Sequence, residues 1–336
     1  MRLLPQTFSI ETNDGISLGA IDCPASFTWT REQSEVSSLS LTAPRQELTT
    51  QIVPWHTWIS AWEGQRLQWR GPVQTNTFDN MGMVLTAKDT GRFMWRTRTV
   101  TTKSWASLDI ATIAADMWRD MLDLHGINAE PVVLPALSGA GRYSVSVKAD
   151  VRMLHQEMAE LAKLGLKWTV VRGRPVLGTQ PTGIAAELGE CHLSAGAKIV
   201  LSGERTSNDV RVQGTNYSHT ERVNLGGLHL QTIVSADDIF GVANIVNAAR
   251  EQALKRSLIK NTLVIPTSDT LTADAPVELD NLIPGIRLAV SALGMRTVCE
   301  LQKVDVSGTS AGTTVAITLS AVDDSTALET LTGGTQ

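Results

Sequence analysis

The sequence predicts a mostly β protein with an α+β insertion, and three observations carry that prediction. Apolar and polar residues alternate over short runs near both ends of the chain, the period of a half-buried strand. Helical spacing is confined to stretches opening near residues 107, 150 and 235. Glycine-containing turns punctuate the alternating runs at short intervals. With 336 residues, 42% of them hydrophobic, the chain has material for two or three domains.

The first hundred residues read as strands. In EVSSLSLTAP, Leu39, Leu41 and Ala43 point one way while Ser38, Ser40 and Thr42 point the other. PWHTWISAWEGQRLQWRGPV, residues 54–73, reads as a hairpin turning at Glu63-Gly64. That turn would pair Trp58 with Trp69 and set Trp58, Trp62, Leu67 and Trp69 on one face, where aromatic cross-strand pairs stabilise by up to ~1 kcal/mol each. MVLTAKD and RFMWRTRTV would form a second hairpin through Thr90-Gly91, with Phe93 and Trp95 on one face. Several short strands with regular turns argue for a small barrel or sandwich.

The middle of the chain changes period. Ile110, Ile113, Ala114, Met117, Met121 and Leu124 recur at helical spacing, and Gly126 is placed to end the helix. A second helix would open at Asp150, use Val151, Leu154, Met158 and Leu161, and stop at Gly165. LKWTVVRGRPVLG then reads as a hairpin turning at Gly173, so residues 107–180 form an α+β unit. AKIVLSGERTSNDVRVQGTN and ERVNLGGLHLQTIV return to short strands. Ser235 with Asp238 resembles a capping box for a helix carrying Ile239, Val242, Ala243, Val246, Ala249 and Ala253. TLVIPT, APVELDNLIPGIRLAVSA and a closing hairpin complete the chain. In that hairpin Val298, Glu300, Gln302, Val304 and Val306 would share a face, as would Val315, Ile317 and Leu319.

Charge excludes one class of partner. Lys and Arg number 29 against 34 Asp and Glu, a formal charge of −5. Residues 236–336 hold 7 basic and 12 acidic side chains, which equals the whole excess. A duplex-binding surface needs clustered Lys and Arg to neutralise phosphates, and no such cluster is present. No apolar run approaches the ~18 residues of a membrane helix, and the N-terminus lacks the layout of a signal peptide. Cys23, Cys191 and Cys299 fit no ligand spacing and read as reduced, packed thiols.

No catalytic, cofactor-binding or metal-binding set is legible. Gly308-Thr309-Ser310-Ala311-Gly312 satisfies G-x-S-x-G, but a nucleophile elbow needs a following helix and here a strand follows, so a turn is favoured. The six histidines lack zinc spacing, and the carboxylate pairs Asp116/Asp120 and Glu157/Glu160 have ordinary helix-surface spacings. Eight of the nine tryptophans fall within residues 29–118. Trp55, Trp58, Trp62, Trp69 and Trp95 suit a barrel core or subunit interface better than a sugar-stacking platform, although Trp serves both.

The order of short motifs carries a resemblance. PWHTWISAWEGQRLQWRGPV resembles the early hairpin of minor tail proteins of long-tailed phages, and MVLTAKDTGRFMWRTR the hairpin that follows it. SNDVRVQGTN, an Ala-rich helix and DNLIPGIRLAVS resemble the later part of phage tail-hub proteins, in which a Pro-Gly turn, here Pro284-Gly285, leads into a barrel strand. The resemblance implies two small β-barrel hub domains plus an α/β decorating domain. Residues 1–105, completed by strands near 199–234, would form the first barrel. Residues 106–198 would be the insertion, and 236–336 a helix and the second barrel.

It further implies a structural homotrimer of the virion, assembled in the host cytoplasm and needing no cofactor. The trimeric ring would join the tail tube to the tail tip. Its partners would be a tube or distal tail protein, the tape-measure protein and other tip proteins, with DNA passing through and no membrane insertion. Asp274, Glu278 and Asp280 would line an acidic channel. A distal tail or adaptor protein is the alternative, and a cell-wall-degrading tail enzyme a more remote one.

Overall fold

The computed structural model describes residues 4–21, 24–137, 140–193, 198–204, 206–236, 241–258, 260–264, 271–292, 295–309 and 312–322. Strands β1 (Gln6–Thr12), β2 (Ser17–Ile21), β3 (Ser26–Glu32) and β4 (Ser38–Pro44) open the chain. In β4 the predicted alternation holds: Leu39, Leu41 and Ala43 are buried and Ser40 is exposed. The tryptophan hairpin consists of β5 (Thr57–Glu63) and β6 (Arg66–Phe78). Its turn is Gly64-Gln65, one residue later than expected, so Glu63 pairs with Arg66 and Trp62 with Leu67. A bulge at Gln68 then sets Ala61 opposite Trp69 and Trp58 opposite Pro72. One extra residue exchanges the two faces of a strand. Trp69 therefore points away from Trp58, and the expected Trp58–Trp69 pair does not form.

Strand β7 (Gly82–Lys88) runs between β4 and β6. The second hairpin expected here is absent. Asp89 instead caps a 3₁₀ turn over Thr90–Trp95 by accepting the Gly91 N–H at 2.8 Å, a local bond that competes with strand pairing.

The α+β unit holds β8 (Lys103–Leu108), α1 (Ile110–Leu124), β9 (Val132–Val133), β10 (Tyr143–Val147), α2 (Leu154–Lys163), β11 (Trp168–Val171) and β12 (Arg174–Leu177). Asp109 caps α1, and Gly126 follows it at φ +63°. Leu124 faces solvent, and Trp118 fills the buried stripe instead. Helix α2 starts at Leu154 because Asp150 is held at φ +61° and Val151 is exposed. Arg172 and Gly173, both at positive φ, make the β11–β12 turn as predicted.

Strands β13 (Ile184–Gly189), β14 (Lys198–Ser202), β15 (Asp209–Gln213), β16 (Ser218–Arg222) and β17 (Gln231–Ser235) come next, followed by α3 (Val242–Ser257). Ser235 ends β17 and Gly241 precedes α3, so the helix begins later than its proposed box; Asp238 and Ile239 lie outside the described residues. The chain closes with β18 (Lys260–Val264), β19 (Arg287–Ala292), β20 (Met295–Thr309) and β21 (Gly312–Ala321). A bulge at Gln302 changes the face of β20, so Cys299 and Leu301 join Val304 and Val306 in the core in place of Val298 and Gln302. Thr309 pairs with Gly312, which makes the G-x-S-x-G segment a strand-to-strand connection; its Ser310 and Ala311 lie outside the described residues. Cys299 is buried, Cys191 is exposed against expectation, and Cys23 lies outside the described residues.

Thirteen strands join in one sheet in the order β14-β18-β21-β20-β3-β4-β7-β6-β5-β1-β2, with β19 pairing β20 and β13 pairing β19. Among the described residues the pairings close no barrel. The lobe from the start of the chain and the lobe from its end share one sheet through β3–β20 and one hydrophobic core, which holds Phe8, Trp29, Leu41 and Trp69 together with Leu288, Val304 and Ile317. The strands near 199–234 do not complete the first lobe. β14 pairs with β18, while β15, β16 and β17 make a separate sheet. Val210, Val212 and Val234 of that sheet, with Ile245 and Ala249 of α3, share the second core with α1 and α2. The Asn244 amide donates to the Ser144 carbonyl at 2.9 Å across this joint.

Gly71 lies where β6 leaves β5 for β7, and a Cβ there would fall on the Lys88 carbonyl. Gly71→Ala is expected to cost about 1–3 kcal/mol, read as a lower urea midpoint. Beside it, burial pushes the Asp89 carboxyl up to about 7 despite N–H donors from Ser37 and Gly91. The folded state then holds a proton that the unfolded chain releases near pH 4. The Asp89 contribution to stability therefore falls as pH rises from about 4 to 7 and is level above that. Denaturation of wild type and Asp89→Asn across that range should show this component of the slope vanish in the variant.

Candidate functional site

The tryptophans singled out in the sequence are divided between two cores and a surface cleft. Trp69 is buried in the first core and Trp58 in the second. Trp62 is half-buried, its indole N–H donating to Ser9 Oγ at 2.8 Å. Trp95 packs against the second core and stacks on His155 at 5.0 Å. Trp55 sits in the turn before β5 at φ +68°, a conformation costly for a bulky residue. Its indole meets the Phe93 edge at 5.3 Å, and Arg96 lies 5.9 Å from its ring centre. Phe93 also stacks on Trp58 and touches His125, whose Nε2 lies 2.7 Å from Thr97 Oγ1. Trp55, Trp58, Phe93, Arg96 and His125, with Asn13 and His56, line a cleft of about 720 Å³.

A second constellation joins distant parts of the chain. Phe27, Trp29 and Arg31 alternate on the core face of β3, so a guanidinium is carried inward and fully buried. It donates to the carbonyls of Leu279 at 3.0 Å, Leu282 at 3.3 Å and Gln68 at 2.8 Å, and to Gln68 Oε1 at 2.7 Å. Burial, then the neighbouring Arg172, pushes its pKa down to about 10.

Gln68 passes the connection to Asp280 at 2.6 Å, and Asp280 also receives Arg172 at 2.7 Å and Arg66 at 3.0 Å. Burial works against the Asp280 charge, but the hydrogen bonds from Gln68 and Arg172 prevail and hold its pKa low. Sequence reasoning placed Asp280 in a channel with Asp274 and Glu278. The structure ties it to two arginines, while Asp274 is exposed and Glu278 is exposed beside Arg66. Gly285, at φ +97°, donates to the Leu301 carbonyl and follows the buried Pro284 on the way into β19.

The α+β unit docks beside this seam. The Ser34 N–H donates to the Trp168 carbonyl at 2.6 Å, and Thr169 Oγ1 to the Glu32 carbonyl at 2.9 Å. Lys167 holds Glu300 at 2.7 Å. Arg31, Gln68 and Arg172 were not singled out from sequence. The signal for Arg31 was its phase with Phe27 and Trp29; Gln68 and Arg172 carried none. Among the described residues no three His, Cys, Asp or Glu side chains converge as metal ligands would.

No protein-family model matches the chain, and no curated protein matches its sequence. Solved structures do match. A tail protein from Neisseria meningitidis MC58 aligns over 95% of this chain and 97% of its own, with TM-score 0.67 and 13% identity. The 43 kDa tail protein of prophage MuSo2 from Shewanella oneidensis aligns over 94% and 98%, with TM-score 0.62 and 13% identity. A type VI secretion system component of E. coli, itself structurally similar to bacteriophage T4 tail proteins gp27 and gp5, aligns over 90% and 74%, with TM-score 0.53 and 10% identity. The chain has the fold of these tail proteins, as its motif order implied.

Breaking the buried seam should be costly. Arg31→Met keeps the bulk but removes the guanidinium's bonds to the carbonyls of Leu279, Leu282 and Gln68, of which Leu279 keeps the Leu282 N–H, and leaves Asp280 less compensated. A loss of about 3–5 kcal/mol is expected by analogy with breaking a buried ion pair, read as the shift in equilibrium urea unfolding. Arg31→Lys should recover little, because an ammonium cannot reproduce the planar fork.

Proposed function

We propose that the chain is a structural, non-enzymatic protein of a phage tail, a hub whose copies assemble into a trimeric ring between the tail tube and the tail tip. The observation that carries this reading is the end-to-end agreement of fold with two tail proteins, which covers nearly the whole of each chain. The agreement spans both sheet lobes and the insertion, so it concerns the architecture of the whole chain and not one module.

In this reading the lobes on either side of β3–β20 act as two tube-like domains per subunit, and three subunits present six to a tail tube. The α+β unit lies outside the ring. The tube or distal tail protein, the tape-measure protein and tip proteins are the partners, and the location is the virion. DNA crosses the ring without being held, because a wall low in Lys and Arg does not gather phosphates. Asp274 and Glu278, both exposed, are the acids proposed for that wall. Asp280, neutralised by Arg66 and Arg172, contributes structure there more than field.

Electron microscopy tests the reading. Purified protein, or the tail tip of the virion, is expected to show a threefold ring. A sixfold ring would assign the chain to the distal tail or adaptor position instead, and no ring in either sample would remove the hub reading.

A further inference from the structure

Two surface features of this chain, an aromatic cleft holding a cation and a hairpin tip holding an open methionine and a carboxylate, are too far apart to meet within one copy. The first is the Trp55–Phe93 cleft. It has an aromatic lining, the exposed His56 at its mouth, and Arg96, which lies over the Trp55 ring and is ion-paired to no carboxylate among the described residues. Desolvation lowers the His125 pKa, which leaves Arg96 as the fixed cation of the cleft.

The second is the tip of the β6–β7 hairpin, Phe78-Asp79-Asn80-Met81. Met81 is 88% exposed and Phe78 is 43% exposed. The Arg45 guanidinium lies over the Phe78 ring at 5.6 Å, while the Met81 side chain stands open to solvent. The tip is also rigid. Asp79 Oδ1 accepts the N–H groups of Met81 at 2.7 Å and Gly82 at 2.9 Å, and Arg45 reaches the Asp79 carbonyl and Asn80 Oδ1. The Gly82 and Met81 donors hold the Asp79 carboxyl below its usual range, so it is ionised, with the Arg45 guanidinium beside it.

From Pro72, opposite Trp58 in the cleft, to Phe78 at the tip, β6 covers about 20 Å at ~3.3 Å per residue. Pairing with β7, which in turn pairs with β4, fixes that separation. A copy cannot fill its own cleft.

We propose that the hairpin tip of one copy seats in the aromatic cleft of the next, with Met81 against the Trp55–Phe93 rings and Asp79 facing Arg96. The contact rests on the ring reading above and supplies the joint that reading lacks. Tip and cleft are different surfaces, so the contact is head-to-tail, the kind that closes rings when the rotation permits. Methionine suits the role because its flexible thioether fills irregular aromatic sites and sulfur packs well against rings. The strained turn that presents Trp55 then has a use, since it keeps the indole at the cleft in place of the core. A preordered tip loses little freedom on docking.

The test uses the full chain in a Cys23→Ser, Cys191→Ser background, which removes the thiol exposed among the described residues and the one outside them. Protomers carrying Met81→Cys with one tag are mixed with protomers carrying His56→Cys with another and oxidised. The expected product is a disulfide-linked pair bearing both tags. Ile233→Cys, exposed on the β15–β17 sheet, replaces His56→Cys in the control and should give none. In parallel, Met81→Asp should raise the self-association Kd by on the order of tenfold or more, as loss of an interface anchor does, with an unchanged melting temperature showing that the fold is intact. If threefold rings persist in Met81→Asp and no mixed pair forms, the contact is overturned while the hub reading stands. If the protein stays monomeric and no mixed pair forms, the contact is likewise overturned, and the hub reading is decided at the virion tip.

Discussion

Residues 26–32 and 303–309 stand near opposite ends of the sequence, yet they form seven consecutive cross-strand pairs, from Ser26–Thr309 to Glu32–Lys303. The remaining architecture depends on that pairing. It merges two lobes into one thirteen-stranded sheet over a common core. It also places Arg31 where its guanidinium can bind the carbonyls of Leu279, Leu282 and Gln68 together. A buried guanidinium is costly unless acceptors meet its donors; four bonds engage the two terminal nitrogens of Arg31, while its buried Nε has no partner. The strand pairing and the side-chain fork therefore constrain each other, because a slip of one residue would turn Arg31 outward and take its donors away from those carbonyls.

The seam continues into the insertion. Asp280 receives Arg172 from the β11–β12 turn, and Glu300 receives Lys167 from the start of β11. Charges from three regions of the chain thus meet where the sheet, the insertion and the last lobe touch. Paired charges of this kind fix orientation more than they add stability. That suits a body whose parts hold one arrangement.

Much of the fold was legible because simple periods were not disturbed. The alternation of Leu39, Leu41 and Ala43, the helix from Ile110 and the Arg172-Gly173 turn follow from spacing and local backbone preference alone. What could not be read follows from single-residue events. The bulges at Gln68 and Gln302 exchange strand faces without a compositional mark, which moved Trp69 away from Trp58 and put Cys299 and Leu301 in the core. The Asp89 cap converted an apparent strand into a 3₁₀ turn. The assignment of β15–β17 to the core of α1 and α2 is a tertiary choice, since short half-buried strands suit either sheet equally well. For the candidate site, the concentration of tryptophans was visible from composition, but its division between two cores and a cleft was not. Asp280 carried no sequence signal of its arginine partners, because those partners lie at Arg66 and Arg172.

The β3–β20 pairing also sets an order of events during synthesis. β3 leaves the ribosome about 270 residues ahead of its partner β20. At roughly 5–20 residues per second, the inner edge of β3 waits on the order of tens of seconds for its partner. During that interval it is an open strand edge carrying Phe27 and Trp29, of the kind that recruits other chains. Contacts of such long sequence separation are slow to form. Nascent copies on one message are therefore exposed to pairing with one another before each has closed, and yield in the cell depends on keeping that edge covered until the last hairpin arrives.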